Sequence, residues 1–249
     1  MQYQLEICAN SVASAVAAQN GEADRIELCE NINEGGTTPS FGTIFQTIKS
    51  VNLPVSVLIR PRPGDFLYTD FEFEVMKHDI ETCKKLGIQG VVIGILKANG
   101  DIDTGRCAEL IALARPMQIT FHRAFDRCND LKKGLEDIIS MGCERVLTSG
   151  GKNVAVNGVQ ILKELVQQAN DRISVMPGSG ITEDNIEFIA KTTGAFEFHS
   201  TAKTRVTSLM KVLISGDLKT NDSSGGIWVS DSERIRRMKK ALTDLRKHI

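Results

Sequence analysis

Short runs of apolar, β-branched residues alternate along this chain with longer stretches in which apolar residues recur every three or four positions. The short runs are typical of buried strands, and the longer stretches are typical of amphipathic helices. The pattern predicts strands at residues 4–8, 25–29, 55–60, 90–96, 118–122, 145–149, 173–176 and 195–199. It predicts a helix after each strand, at residues 11–20, 41–49, 72–86, 104–114, 131–141, 154–168, 183–191 and 232–247.

This alternation indicates a parallel sheet, because each strand needs a crossover to return in the same direction. Eight strand–helix units in 249 residues predict an α/β protein of the (β/α)₈ TIM-barrel class, with a single domain that spans residues 1–249. The main alternative is an open doubly wound sheet. Such a sheet usually carries G-x-G-x-x-G after its first strand, where this chain has Cys8-Ala9-Asn10-Ser11.

One stretch, at about 201–229, departs from the regular spacing and is rich in Ser, Thr, Gly and Lys. Its composition predicts a long loop after the eighth strand. Loops in that position lie at the functional end of a barrel.

Charge and cysteine content narrow the possible partners. The 30 basic and 31 acidic side chains are balanced, whereas a nucleic-acid partner usually requires a basic face. No apolar run approaches the roughly 20 residues of a membrane helix, and no signal-peptide pattern is visible. The six cysteines include no C-x-x-C pair, which predicts free thiols and a cytoplasmic location.

The first two strands repeat the pattern apolar–Glu–apolar–Cys. Because side chains alternate across a strand, we expect Glu6, Cys8, Glu27 and Cys29 to point into the barrel, with the apolar residues against the helices. Neighbouring strands lie about 5 Å apart, so two thiols and two carboxylates should share one corner. A buried carboxylate is costly unless it is paired, which makes this corner a candidate site.

Other strands end in ionisable or glycine-rich motifs, which is the usual layout of a barrel active site. The eighth strand should meet the first and bring its histidine beside the Glu6/Cys8 corner. The candidates for acid–base catalysis are Glu27, His122, Arg123 and His199. The candidates for anion binding are Arg60, Arg62, Ser149, Gly150, Gly178 and Gly180.

Two chemistries compete for this mouth. Thiolates are soft ligands that suit monovalent copper, so Cys8 and Cys29 are candidate Cu(I) ligands with His199 nearby. Alternatively, the carboxylates and histidines transfer protons on a small anionic metabolite that Arg60 and Arg123 hold.

That metabolite could carry a phosphate, since barrels often bind phosphate after strands seven and eight. Glu183 and Asp184 follow the seventh-strand glycines, however, and would repel it. A purely structural interpretation makes the two strand glutamates buried partners of Arg60 and Arg123, without any chemistry.

Several motifs, taken together and in order, resemble the CutC family of copper homeostasis proteins. They are Leu5-Glu6-Ile7-Cys8, Asp24-Arg25-Ile26-Glu27-Leu28-Cys29, Glu34-Gly35-Gly36-Thr37-Thr38-Pro39-Ser40, Ile59-Arg60-Pro61-Arg62-Pro63-Gly64-Asp65-Phe66, Thr120-Phe121-His122-Arg123-Ala124-Phe125-Asp126, Arg145-Val146-Leu147-Thr148-Ser149-Gly150 and Phe198-His199-Ser200.

The resemblance implies a cytoplasmic (β/α)₈ barrel that forms a homo-oligomer and takes part in copper homeostasis. It also implies that Cys8 and Cys29 bind copper. The chain departs from the family at Thr37, where leucine is usual, and at Pro63, where glycine is common. Whether the protein is an enzyme stays open, because metal buffering does not explain the His122 and Arg123 motif.

Overall fold

The computed structural model describes residues 2–209 and 226–245. Within these residues, eight parallel strands form one sheet that curves into a nearly closed barrel. The strands are β1 (Gln4–Ala9), β2 (Arg25–Leu28), β3 (Val55–Leu58), β4 (Gly90–Ile93), β5 (Gln118–Phe121), β6 (Arg145–Thr148), β7 (Ser174–Pro177) and β8 (Glu197–Ser200). The helices around them are α1 (Val12–Asn20), α2 (Phe41–Ser50), α3 (Asp70–Lys85), α4 (Thr104–Ala114), α5 (Leu131–Ser140), α6 (Val159–Ala169), α7 (Ile186–Thr193) and α8 (Ser232–Leu245). The architecture confirms the predicted TIM-barrel class.

The first strand brings the two ends of the sheet together. β1 pairs with β2 on one side and with β8 on the other, in parallel. Glu6 lies opposite His199 in the β1–β8 register. The expected meeting of the first and eighth strands is therefore confirmed. β7 and β8 lie side by side but share no ladder in the described chain.

The helical shell follows from capping and amphipathic spacing. The α3 helix begins with a reciprocal capping box between Thr69 and Glu72, which satisfies two backbone donors of its first turn. Its buried residues recur at helical spacing: Phe73, Met76, Ile80 and Cys83. The outward strand residues Leu5, Ile7, Ile26 and Leu28 are fully buried against the shell, as their alternation predicts.

The stretch at 201–229 differs from the predicted loop at both ends. Lys203–Val206 (β9) and Ile227–Ser230 (β10) pair as antiparallel strands beside the mouth of the barrel. Residues 210–225, which the loop prediction also covers, lie outside the described residues, as do the last two residues of the predicted 232–247 helix. No helix in the described parts of the chain is long and apolar enough to cross a membrane.

Candidate functional site

A cavity of about 560 Å³ opens where the strands end. This volume falls within the range of small-molecule sites and far exceeds that of a single metal ion. Its lining includes eight of the predicted site residues, six of which lie on or directly after β1, β2, β3, β5 and β8: Cys8, Glu27, Cys29, Arg60, His122 and His199. Arg123 and Gly180 also line it.

The two thiols meet in one buried corner of the cavity. Cys8 Sγ and Cys29 Sγ lie 3.5 Å apart, and the residues are 7% and 0% exposed. Leu58 and Val92 form one buried apolar cluster with the two cysteines. Cys8 Sγ, a carboxylate oxygen of Glu27 and a ring nitrogen of His199 lie within 4.8 Å of one another. The predicted convergence of these side chains inside the barrel is confirmed.

An ion-pair network fixes this corner from below. Glu6 accepts from Arg25 Nε at 2.6 Å and pairs with His199 Nδ1 at 2.7 Å. The other ring nitrogen, His199 Nε2, lies 3.8 Å from Glu27 Oε2. Arg25 also pairs with Glu197, which completes a buried layer across β1, β2 and β8. The imidazole of His199 is thereby held in one orientation between two carboxylates.

The partner of Glu6 corrects the structural interpretation given above. Glu6 pairs with Arg25, not with Arg60 or Arg123. Arg25 precedes Glu27 by two residues on β2, so both side chains point to the same inward face. Arg123 instead pairs with Asp126, at 2.7 Å.

These contacts set the protonation of the network. Burial raises the pKa of Glu6, but Arg25 and His199 outweigh it and lower the pKa to about 2. Burial lowers the pKa of His199, but Glu27 and Glu6 together raise it above its ordinary value. Burial raises the pKa of Glu27, and His199 offsets only part of that effect. The geometry therefore favours a carboxylate at Glu6 and an imidazolium at His199.

The thiol of Cys8 is held in its protonated form. Its hydrogen bond with Cys29, together with burial and the nearby Glu27 carboxylate, raises its pKa above the ordinary value. A soft cation that replaces this proton would bind a thiolate, so binding must release a proton to solvent.

The donor set fits a soft metal ion. Metal–thiolate bonds are about 2.3 Å long, so the 3.5 Å between the sulphurs is too short for an ion on the line that joins them. An ion held by both sulphurs would lie off that line. Its remaining side would face the cavity, where Glu27 and His199 offer further ligands.

A second wall of the cavity is built by the ends of β3 and β5. The Arg60 guanidinium lies 5.1 Å from the ring centre of Phe66, and that ring lies 5.0 Å from the His122 ring. Burial, and then the Arg60 charge, lower the pKa of His122 to about 3, so this imidazole is neutral.

Four predicted anion-binding residues lie outside the cavity lining. Arg62 is held on the surface by Glu72, at 2.5 Å. Ser149 donates its backbone N–H to Asp126, and Gly150 donates its own to Thr148 Oγ1. Gly178 packs against His199, where a Cβ atom would lie 3.3 Å from the histidine Cβ. The structure does not bring these four together with Arg60.

Sequence reasoning missed three residues of the site. Arg25 could have been predicted, because it stands two residues before Glu27 on β2 and therefore points to the same face. Phe66 stood in a recognised motif, but its packing between Arg60 and His122 depends on a loop fold that no periodicity predicts. Trp228 lines the cavity from β10, beneath Lys203 Nζ at 4.9 Å from its ring centre.

Comparison with known proteins gives consistent matches. The CutC family model matches residues 3–204. A human protein named copper homeostasis protein cutC homolog is 46% identical over 239 residues, which cover 94% of this chain and 87% of the human one. A Chromobacterium violaceum family protein CutC is 49% identical over 207 residues, which cover 83% of this chain and 84% of the relative.

Solved structures agree. A Streptococcus agalactiae copper homeostasis protein CutC superposes with a TM-score of 0.77 at 34% identity, covering 80% of this chain and 99% of that one. Thiamine phosphate pyrophosphorylase from Pyrococcus furiosus superposes with a TM-score of 0.59 at 13% identity, covering 98% and 96% of the two chains. The second likeness shows the barrel fold alone.

Proposed function

This chain belongs to the CutC family of copper homeostasis proteins, and from that premise we propose that it binds a monovalent copper ion as cargo through Cys8 and Cys29. The observation that carries the proposal is the buried pair of thiols, 3.5 Å apart, with Glu27 and His199 in reach of the same point. Soft, polarisable thiolates favour Cu(I) over hard cations.

The protein's own groups prepare the site for loading. Glu6 holds the His199 ring through Nδ1, which leaves Nε2 on the side of Glu27 and the thiols. The apolar contacts of Leu58 and Val92 shield the sulphurs from water. Because the Cys8 thiol carries a proton and the His199 imidazolium carries another, copper loading displaces protons, and affinity rises with pH.

Titration of the reduced protein with Cu(I) against a competing chelator tests this function. We expect one ion per chain, and a loss of affinity of at least about tenfold in Cys8→Ser/Cys29→Ser, because an alcohol replaces each thiolate. The matched control is Cys128→Ser, a half-buried thiol outside the cavity lining whose Sγ lies 3.9 Å from the Ala124 carbonyl.

Retention of parental copper affinity in the double variant would overturn the proposal. Zn²⁺ belongs in the same experiment, because Cys, His and carboxylate groups are also zinc ligands. A site that prefers zinc over copper in this competition would contradict the assignment to Cu(I).

A second candidate function, acid–base catalysis on a small metabolite, is favoured by a separate observation. The cavity is about 560 Å³, much more than an ion requires. His199 lies between the Glu6 and Glu27 carboxylates, an arrangement that suits proton transfer, and His122 and Arg123 complete the proposed catalytic set.

A further inference from the structure

The wall formed by β3 carries a buried positive charge without a counter-ion. Arg60 is 4% exposed and forms no ion pair within the described residues. Its Nη1 donates to the carbonyls of Glu34 and Gly36, at 3.0 and 2.5 Å, and its Nη2 donates to that of Gly64 at 3.0 Å. A buried guanidinium is costly unless a negative charge offsets it.

Two of the five guanidinium hydrogens make no hydrogen bond in the described chain, and the Tyr68 hydroxyl, also buried without a hydrogen-bond partner there, lies near the group. Nη1 uses both of its hydrogens and Nη2 uses one, whereas the buried Nε–H has no partner. Nε and Nη2 lie on the same edge of the planar group, which is an edge that binds a carboxylate through two parallel hydrogen bonds.

A second unpaired donor lies on the neighbouring strand. His122 Nδ1 accepts from the Ala124 N–H at 3.1 Å, so the proton of the neutral ring is on Nε2. The Nε2 atom is buried and has no hydrogen-bond partner. His122 therefore presents a neutral N–H donor, with no acceptor from the described residues.

The barrel register brings these two donors to one level. Leu58 lies opposite Val92, and Val92 lies opposite Thr120. Each strand continues by two residues to Arg60, Gly94 and His122, so these three residues lie at the same height along the barrel axis. Gly94 has no side chain, and the His122 ring occupies the space that one would take. A Cβ atom on it would lie 2.5 Å from His122 Cε1.

The same cavity contains an unpaired acceptor and an apolar surface. Glu27 Oε1 is buried without a hydrogen-bond partner among residues 2–209 and 226–245, although Oε2 faces His199. Leu58, Leu147 and Ile181 supply apolar lining between the polar groups. A ligand that satisfied every unpaired group would carry an anion, a hydroxyl donor and an apolar segment.

We propose that this cavity binds a small hydroxy acid, with its carboxylate on Arg60 and His122, its hydroxyl on Glu27 and its carbon chain against the apolar lining. The proposal deepens the second candidate function by naming the substrate class. It does not depend on copper binding. The carboxylate of the hydroxy acid contacts the β3–β5 wall and its hydroxyl contacts Glu27 on β2, whereas the thiols belong to β1 and the residue after β2.

A carboxylate fits this site better than a phosphate. One arginine with two remaining hydrogens matches the two oxygens of a carboxylate. The Glu27 carboxyl group shares the cavity and would repel a dianion more than a monoanion. The glycines after β7 add no donor that the structure directs at Arg60, since Gly178 packs on His199.

Four six-carbon probes test the anionic group and the hydroxyl group of the proposed ligand by ligand-observed NMR and calorimetry on the full chain. We expect 2-hydroxyhexanoate to bind at millimolar concentration or below, and hexanoate to bind several-fold more weakly because it lacks the hydroxyl group. Hexanamide, which has no charge, should not bind measurably. Hexyl phosphate should bind more weakly than 2-hydroxyhexanoate.

Two variants locate the site. Arg60→Lys keeps the charge but loses the planar edge, and we expect it to weaken 2-hydroxyhexanoate binding about tenfold. Arg62→Lys is the matched control from the same loop, and binding should be unchanged because Arg62 lies outside the cavity. Should Arg60→Lys fail to fold, His122→Asn provides the test, because Asn can still cap Ala124 while it removes the Nε2 donor.

The results separate this inference from copper binding. Arg60→Lys should retain parental Cu(I) affinity while its affinity for 2-hydroxyhexanoate falls. Absence of binding by 2-hydroxyhexanoate to the parent would overturn the inference, as would equal binding to Arg60→Lys or to His122→Asn. Tighter binding of hexyl phosphate would replace the hydroxy acid with a phosphorylated ligand. A bound hydroxy acid that is never turned over would leave the site intact and contradict only the catalytic function.

Discussion

Glu6 is the side chain on which the order of the barrel mouth depends most directly. It is fully buried, and its two oxygens contact different cations, Arg25 at 2.6 Å and His199 at 2.7 Å. Neither cation has another close partner of equal burial, since Glu197 is partly exposed and Glu27 lies 3.8 Å from the imidazole. Loss of the Glu6 charge would therefore leave two buried cations poorly compensated.

We expect Glu6→Gln to lower the free energy of unfolding at neutral pH by about 3–5 kcal/mol, the usual cost of breaking a buried ion pair from one side. The folded-state pKa of Glu6 falls from an ordinary value of 4.5 to about 2. Its contribution is thus fully present above pH 4.5 and is lost as the pH falls towards 2. Urea unfolding at neutral pH and near pH 3 should show the difference between parent and variant shrinking with acid.

Glu136→Gln is the control for this effect. The pKa of Glu136 is also lowered to about 2, by Arg172 and Gln168, but both side chains of the pair are half exposed. Solvent screens such a surface pair, so the variant should unfold almost as the parent does. An equal loss of stability in both variants would show that the buried corner has no special role.

The sequence predicted which of these residues point inward but not how they pair. The alternation of Glu6 with Cys8, and of Glu27 with Cys29, followed from the two-residue period of a strand. The choice of Arg25 over Arg60 as the partner of Glu6 depends on the relative heights of strands in a sheared barrel, which one strand's pattern does not contain.

The ends of β3, β4 and β5 pack together, and this packing requires a residue without a side chain at position 94. Gly94 follows β4 and lies between Arg60 and His122 in the register. The His122 ring occupies the space that a Gly94 side chain would take. The ring is also fixed by Ala124 and Phe66, so it has little freedom to move away.

Gly94→Ala should therefore lower the free energy of unfolding by about 1–3 kcal/mol, as overpacked cores do. Its Cβ atom would lie 2.5 Å from His122 Cε1 and 2.6 Å from Nδ1. Denaturant unfolding measures the loss, and the imidazole resonances of His122 should shift. The control is Gly105→Ala in α4, where the nearest atom, Asp103 Oδ1, is 3.6 Å away and alanine favours the helix. Parental stability together with unchanged His122 resonances in Gly94→Ala would contradict this packing.

The predicted strands and helices agree best with the structure where the hydrophobic periodicity is strong, and least at the 201–229 stretch. The β9 strand alternates charged and uncharged residues without an apolar face, and three of its four residues are exposed or nearly so. Its pairing with β10 joins segments more than 20 residues apart. Ile227, Trp228 and Val229 of β10 are apolar, but no local pattern predicts their pairing with a polar segment so distant in the sequence. The composition of the stretch predicts a loop instead.

The two proposed recognition surfaces lie in one cavity of the barrel but depend mainly on different strands. The thiol corner joins β8, β1 and the residue after β2, where the sheet closes on itself. The Arg60/His122 wall belongs to β3 and β5. The barrel class was predictable because eight strand–helix units repeat along the sequence. The division into two surfaces depends on how the sheet closes between β1 and β8, which the sequence pattern does not specify.

Copper at the thiol corner should stabilise the entire fold, because it would link β1, the end of β2 and, through His199, β8. An ion that binds only the folded chain adds about 2.7 kcal/mol at a free concentration one hundred times its Kd. For a domain of this size, that corresponds to a rise in Tm of roughly 5–10 °C. Thermal unfolding of the reduced protein with and without chelator-buffered Cu(I) measures the shift. Cys128→Ser should shift as the parent does, and Cys8→Ser/Cys29→Ser should not shift. A full shift in the double variant would mean that copper stabilises the fold from another position, and the closing corner of the barrel would lose its assigned role.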